Sequence, residues 1–197
     1  MCRFIETVCL KDGEVRNLPY HNARLNATRR HFFGDVPEID LASFIHATGK
    51  AGRTRCRVTY SGQVAGVEYF PYHIRPIRRL RMVEADGVDY HYKYADRTVL
   101  DKLLELRGEA DDVLIVQNGL LTDTTFTNIA LWDGAKWFTP ARPLLEGTKR
   151  KLLLDQGLLI PEDIPAHGVV GCYQSICLFN AMIDFGEVVL PCEGILG

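Results

Sequence analysis

Residues 4–10 read Phe-Ile-Glu-Thr-Val-Cys-Leu, an apolar-rich run that predicts a strand, and Asp12-Gly13 followed by residues 14–18 predicts a turn and the return strand of a hairpin. The period then lengthens. Apolar residues recur at helical intervals over 19–33, and residues 40–50 form a second candidate helix with Asp40 as its cap. Residues 55–60 and 64–72 flank Ser61-Gly62 and predict another hairpin, so this part of the chain reads as a compact α+β unit.

Pro71 and Pro76 punctuate the pattern and place a domain boundary that divides the chain into 1–75 and 76–197. Beyond it, residues 77–83 resume a strand. Residues 97–106 predict a helix, because Val99, Leu100, Leu103, Leu104 and Leu106 share one broad face. Short strands follow at 113–117, 129–132 and 137–139, joined by Asn118-Gly119 and Asp133-Gly134 turns. A helix over 148–156 and strands at 173–179 and 188–190 complete the series. Strands and helices do not alternate regularly, so the class is α+β rather than a doubly wound parallel sheet.

A composition of 47% hydrophobic and 24% charged residues in 197 supports a sizeable core. The net charge of -2 gives no broad electrostatic footprint for nucleic acid, and the short basic stretch 75–81 reads as a solvated linker or strand edge. No apolar run approaches the roughly 20 residues that cross a bilayer, and Glu6 stands where a signal peptide is apolar. The expectation is a cytoplasmic protein with neither membrane nor nucleic-acid partner. The six cysteines, Cys2, Cys9, Cys56, Cys172, Cys177 and Cys192, lack metal-binding spacing and read as reduced, mostly buried thiols, with no metal site.

Three segments have chemical potential. Tyr92-Lys93-Tyr94-Ala95-Asp96-Arg97 sets a lysine among aromatics just before a helix; a partly desolvated amine has a lowered pKa and can attack an aldehyde to form an imine. Asn118-Gly119 leads into Thr122-Asp123 and Asn128-Ile129, read as a hairpin turn, a short polar loop and a strand. Thr139-Pro140 precedes Leu144-Leu145-Glu146-Gly147-Thr148-Lys149-Arg150, where a glycine opens a helix whose first amides suit a phosphate. Each segment alone also fits an ordinary solvated lysine, a capped turn or a common helix start.

The ordered series Lys93, Thr122-Asp123 with Asn128-Ile129, Thr139-Pro140 and Gly147-Thr148-Lys149-Arg150 resembles the class IV aminotransferase family, the fold type IV pyridoxal phosphate enzymes. Phe4-Ile5-Glu6-Thr7 and Tyr20-His21-Asn22-Ala23-Arg24-Leu25 are similar to that family's Phe-Glu-Thr strand and His-x-x-Arg-Leu helix, and Phe179-Asn180-Ala181-Met182 is similar to the lyase branch's Cys-Asn-Ala-Leu. The resemblance implies a small N-terminal α/β domain and a larger β-barrel-like, cofactor-binding domain with helices that carries the catalytic lysine. It implies pyridoxal 5'-phosphate as cofactor and a homodimer. Lys93 matches the catalytic, Schiff-base lysine that also shuttles a proton. Arg24 matches the phosphate-binding arginine, Thr148 and Lys149 the helix-start phosphate site, and Asn180 with Ala181 a further phosphate contact. Asp123 stands where the family has a glutamate that pairs with the protonated pyridine nitrogen; it has the same charge and is one methylene shorter. The family's Asp-Arg-Gly-x-x-x-Gly-Asp-Gly stretch has no counterpart ahead of Phe4, so part of the pocket wall is expected from elsewhere, such as a partner subunit.

Asp96-Arg97 is similar to the Asn-Arg pair that follows the lysine in aminodeoxychorismate lyases, and Arg97 is a candidate for a substrate carboxylate or for a solvent-facing place on the first helical turn. The leading expectation is therefore an aminodeoxychorismate lyase-like enzyme that acts on an amino acid-like substrate and releases pyruvate by β-elimination. The alternatives are a branched-chain or D-amino acid aminotransferase, and a noncatalytic member that binds cofactor or a partner.

Overall fold

Strict alternation of burial makes a strand of Arg53–Tyr60 (β3), whose Cys56, Val58 and Tyr60 turn inward, while the basic residues between them sit on the other face. In the computed structural model, which describes residues 3–47 and 52–197, β3 pairs antiparallel with Phe4–Lys11 (β1) and Val64–Pro71 (β4). Glu14–Val15 (β2) completes a four-stranded sheet of order β2-β1-β3-β4. Phe4, Val8 and Leu10 of β1 join the β3 residues in packing against Leu25 of the helix Leu18–Phe33 (α1) and against Ile39, Leu41 and Ile45. The β1-β2 turn has positive φ at both Asp12 and Gly13, as a type I′ hairpin needs. β2 is shorter than the expected 14–18, because Asn17 at φ 58 turns the chain into α1, with proline in the first helical positions.

The expected helix over 40–50 is instead a single 3₁₀ turn, Leu41–Ser43, and its last residues, 48–50, lie outside those described. Asp40 does cap it, its side chain accepting from the Ala42 amide at 3.0 Å. Asn22 from α1 accepts the Leu41 amide at 3.0 Å and Asn26 exchanges bonds with the Ile39 backbone. Those side chains satisfy the backbone groups that a longer helix would have paired internally.

The first compact unit comprises the chain up to Ile74 and, in addition, Tyr92–Asp96. The sequence assigned Lys93 to 76–197. Its segment packs instead on the first unit: the Ile5 amide donates to the Lys93 carbonyl and the Ala95 amide to the Arg3 carbonyl, both at 2.9 Å. Tyr94 lies 5.3 Å from the Phe4 ring, and Tyr92 stacks on His31 at 5.0 Å. One end of the β1 edge opposite β3 is thus occupied by β2, the other by the lysine segment.

The second unit, Arg75–His91 with Arg97–Gly197, holds a nine-stranded sheet. Its strands are Leu80–Glu84 (β5), Asp112–Gln117 (β6), Leu120–Thr124 (β7), Asn128–Trp132 (β8), Trp137–Pro140 (β9), Ile160–Glu162 (β10), Ser175–Phe179 (β11), Val189–Pro191 (β12) and Ile195–Leu196 (β13). The path runs β10-β9-β8-β7-β6-β5-β13, and β11 pairs with β8 and β12. Helices Thr98–Glu105 (α2), Thr148–Asp155 (α3) and Val169–Cys172 (α4) accompany it. A core built on Leu114, Val116, Ile129, Leu131, Ile176 and Leu178 explains the apolar runs of β6, β8 and β11. The polar Thr122-Asp123-Thr124 predicts turn and loop, whereas the structure makes it part of β7. The structure buries all three, and Thr122 returns its hydroxyl hydrogen to the Ile115 carbonyl at 3.0 Å. β5 starts later than residue 77 because Asp111 takes the Arg78 and Arg79 amides.

Among the described cysteines Cys9, Cys56, Cys177 and Cys192 are buried and Cys172 is exposed, all as free thiols; Cys2 lies outside the described residues. No helix among the described residues is long and apolar enough to cross a membrane.

Candidate active site

Each unit carries a polar cluster built around a buried carboxylate. On β1 the phase that sends Phe4, Val8 and Leu10 into the core also sends Glu6 there, leaving it 0% exposed. His21 and Arg24 stand one turn apart on the α1 face above it. Arg24 donates from Nε to Glu6 Oε1 at 2.9 Å and from Nη2 to Oε2 at 2.6 Å, a two-pronged grip, and His21 Nδ1 lies 2.6 Å from Oε2. Burial by itself would raise the Glu6 pKa. The charge of Arg24 and the hydrogen bonds from His21 and Arg24 outweigh it and hold the carboxyl at about 2. For His21 burial wins over the attraction of Glu6, and the charges of Arg24 and Lys93 push it down further. A neutral imidazole against a carboxylate must carry its proton on Nδ1. The half-buried Lys93 therefore stands within electrostatic reach of this cluster.

In the second unit Asp123 on β7 pairs in register with Asn128 on β8. The Asn128 amide group donates to Asp123 Oδ1 and to the Leu145 carbonyl, each at 2.8 Å, and the Leu145 amide donates to Asp123 Oδ2 at 2.8 Å. The loop before α3 is thus tied to the acid by one asparagine. Gly147, with φ -70, has a backbone any residue could adopt; space decides instead, since a Cβ there would stand 1.9 Å from Asn128 Oδ1. Helix α3 then opens at Thr148, its first internal bond running from the Lys151 amide to the Gly147 carbonyl at 3.0 Å, so the preceding amides point out of the helix end. Arg150, 6% exposed, donates to the Pro140 carbonyl at 2.8 Å, and its Nε has no hydrogen-bond partner among the described residues. Burial dominates at Asp123 and pushes its carboxyl up to about 7; Asn128, the loop amides and Arg150 offset only part of it.

The remaining residues singled out from sequence meet around Thr125 and Phe126. Arg97 donates from Nη2 to the Thr125 carbonyl at 2.9 Å, and Asn180 donates to the Phe126 carbonyl at 3.0 Å while accepting the Met182 and Ile183 amides. Ala181 sits half-buried in that turn. Lys149 spends its ammonium on Asp184 at 2.6 Å, so its contribution to a helix-start site is its backbone. Lys93 and Arg24 thus belong to the first unit, and Asp123, Thr148, Lys149, Asn180, Ala181 and Arg97 to the second.

Sequence reasoning missed the role of Glu6. The signal was available: an ionisable residue in the core phase of a strand requires a buried partner. It also missed Arg75, which pairs with the buried Asp112 and lies over the Phe126 ring at 4.4 Å. Among the described residues no group of three or more His, Cys, Asp or Glu side chains is arranged to hold a metal.

Known proteins share this architecture. The family model for amino-transferase class IV matches residues 3–188. An uncharacterised protein of Haemophilus influenzae is 32% identical over 186 residues, spanning 92% of this chain and 98% of its own. The crystal structure of a candidate 4-amino-4-deoxychorismate lyase from Haemophilus somnus matches with a TM-score of 0.84 at 32% identity, covering 93% of this chain and 97% of that one. A hypothetical aminotransferase of Mycobacterium tuberculosis in its PLP-bound form shares the fold, with a TM-score of 0.75 at 18% identity over 94% of this chain and 79% of the other. The chain belongs to the class IV aminotransferase family, a family of pyridoxal 5'-phosphate enzymes with the fold type IV architecture.

Proposed function

We propose that this enzyme is aminodeoxychorismate lyase-like, holds pyridoxal 5'-phosphate on Lys93, and releases pyruvate from an amino acid-like substrate by β-elimination. The observation that carries the reading is the Asp123-Asn128-Leu145 cluster, in which a buried acid and the start of α3 are locked together by side-chain hydrogen bonds. The donor set fits the cofactor: an amine on Lys93, a fixed guanidinium on Arg24, helix-start amides at Thr148 and Lys149, and an acid at Asp123.

When bound, pyridoxal 5'-phosphate supplies an electron sink for charge that develops on the substrate's α-carbon. The protein's own groups have separate tasks. Lys93 takes and returns a proton at Nζ, a task served by its half-buried setting beside a neutral His21. Arg24 is held by Glu6 along its Nε and Nη2 edge, so the direction of the guanidinium is set before any phosphate arrives. Asp123, raised to about 7 by burial that its partners only partly offset, is the acid that would hold the cofactor's ring nitrogen, and a cation held there would favour its ionised form. Asn180 and Arg97 brace the Thr125-Phe126 turn, and Arg97 is the candidate for a substrate carboxylate.

Lyase chemistry ranks ahead of amino transfer on Asp96-Arg97 and on the 32% identity with the Haemophilus somnus protein. The same reading carries a homodimer and a cytoplasmic setting. To test it, the purified protein is mixed with pyridoxal 5'-phosphate. A visible absorption band is expected, with the cofactor fixed to Lys93 after borohydride reduction and mass spectrometry, and Lys93→Ala should lose both. Release of pyruvate and 4-aminobenzoate from aminodeoxychorismate is then compared with 2-oxoglutarate-dependent amino transfer; product from only the second reaction rejects the lyase reading.

A further inference from the structure

The turn between β7 and β8 has Asp123 on one side and Asn128 on the other, and the two strands are in register at that pair. The Thr124 amide donates to the Thr127 carbonyl at 2.9 Å, which leaves Thr125 and Phe126 as the loop. A two-residue hairpin loop that matches the twist of its strands uses positive φ, and neither Thr125 nor Phe126 has it. The backbone of this turn therefore does not by itself hold β7 against β8 beside Asp123.

Side chains from distant positions do. Asp112, at the start of β6 and 0% exposed, takes the Thr125 hydroxyl at 2.8 Å and the Thr125 amide at 3.4 Å on Oδ1. The Val113 amide donates to the same oxygen at 2.8 Å, and Arg75 pairs with Oδ2. The Arg75 guanidinium also lies over the Phe126 ring, 4.4 Å from the centroid, so one cation offsets the buried acid and covers the next residue of the turn. Within the turn, Thr124 Oγ1 accepts the Phe126 and Thr127 amides at 3.3 and 3.0 Å. On its far side stands Asn128, which bonds both Asp123 and the Leu145 carbonyl. A shift of the turn thus reaches the acid and the loop before α3 together.

We propose that Asp112 and Arg75 are positioning residues for Asp123: by gripping Thr125 and Phe126 they fix the turn that sets Asn128 against the acid. A well-packed apolar pair would serve stability as well; the ionic pair adds a fixed direction for the turn. That Asp123 meets a cofactor nitrogen rests on the function proposed above; the hold on Asp123 does not.

The Asp123 carboxyl is titrated by NMR in the full chain without cofactor, and the dissociation constant of pyridoxal 5'-phosphate is measured by absorbance. Thr125→Val removes the hydroxyl that Asp112 holds and keeps the shape. With Asn128 loosened, the Asp123 midpoint should rise by about 0.5 unit or more and the cofactor should bind about 10-fold more weakly. Thr125→Ser restores the hydroxyl and should return both values to those of the parent. Arg75→Lys keeps the charge and loses the flat contact over Phe126, and should move both in the same direction by less. If Thr125→Val does not fold, Arg75→Lys decides the matter. A fall in melting temperature with the Asp123 midpoint unmoved overturns the proposal, as does a midpoint moved as far by Thr125→Ser as by Thr125→Val. A parent protein without a cofactor absorption band counts instead against the function proposed above, and the carboxyl titration still decides the positioning role.

Discussion

Glu6 and Asp123 are both enclosed, at 0% and 4% exposure, yet one is held at about 2 and the other raised to about 7. The first lies against a guanidinium that grips both of its oxygens. The second is met by an asparagine amide and a backbone N–H, with the charge of Arg150 a lesser influence. Desolvation of similar extent is overturned in one case and not in the other, so the charge on the donor decides, not the number of hydrogen bonds. A carboxylate fixed as an anion suits a structural strut. One poised near neutrality suits a site that is to receive a cation.

The largest test of that contrast is Arg24→Gln, which strands Glu6 in the core; a loss of about 3–5 kcal/mol in urea unfolding is expected, and a loss below about 1 kcal/mol would remove the strut from the account. Next is Asp123. Its folded pKa is raised above the ordinary aspartate value of 3.8, so the folded state binds the extra proton between about pH 4 and 7 and stability falls as pH rises through that window. The decline should be roughly 4 kcal/mol before solvent relaxation and should vanish in Asp123→Asn, as read from denaturation at stepped pH. Glu6 has the opposite sign: depressed from 4.5 to about 2, it contributes stability that is full above 4.5 and lost as pH falls toward 2. That acid limb should amount to about 3 kcal/mol and be flattened in Glu6→Gln. The smallest effect is expected of Gly147→Ala, whose new methyl meets Asn128 Oδ1; displacing that side chain should cost about 1–3 kcal/mol and raise the Asp123 pKa further, measurable by carboxyl titration in NMR.

The two clusters were unequally legible in the sequence. Asp123, Gly147 and Thr148 stand in an ordered series close along the chain, so their association could be read, although the strand bearing Asp123 could not: polar β7 breaks the apolar pattern, and only burial of its threonines reveals it. Glu6 and Arg24 join β1 to α1 across the core, and no local period connects them. The Asp12-Gly13 and Ser61-Gly62 hairpins were readable because their turn chemistry is local. The helix expected after Asp40 was not, since its competitors, Asn22 and Asn26, come from another element. Assignment of Lys93 to the later part of the chain followed linear order, whereas its segment answers to β1.

That attachment bears on the order of synthesis. The first unit's strands and α1 emerge from the ribosome early, but the end of β1 at Arg3–Ile5 keeps unmet backbone groups until residues 92–96 follow. The nascent small sheet therefore waits with one open edge, and the segment that closes it carries Lys93. Seating of Lys93 and completion of the first unit are the same event in the life of the chain.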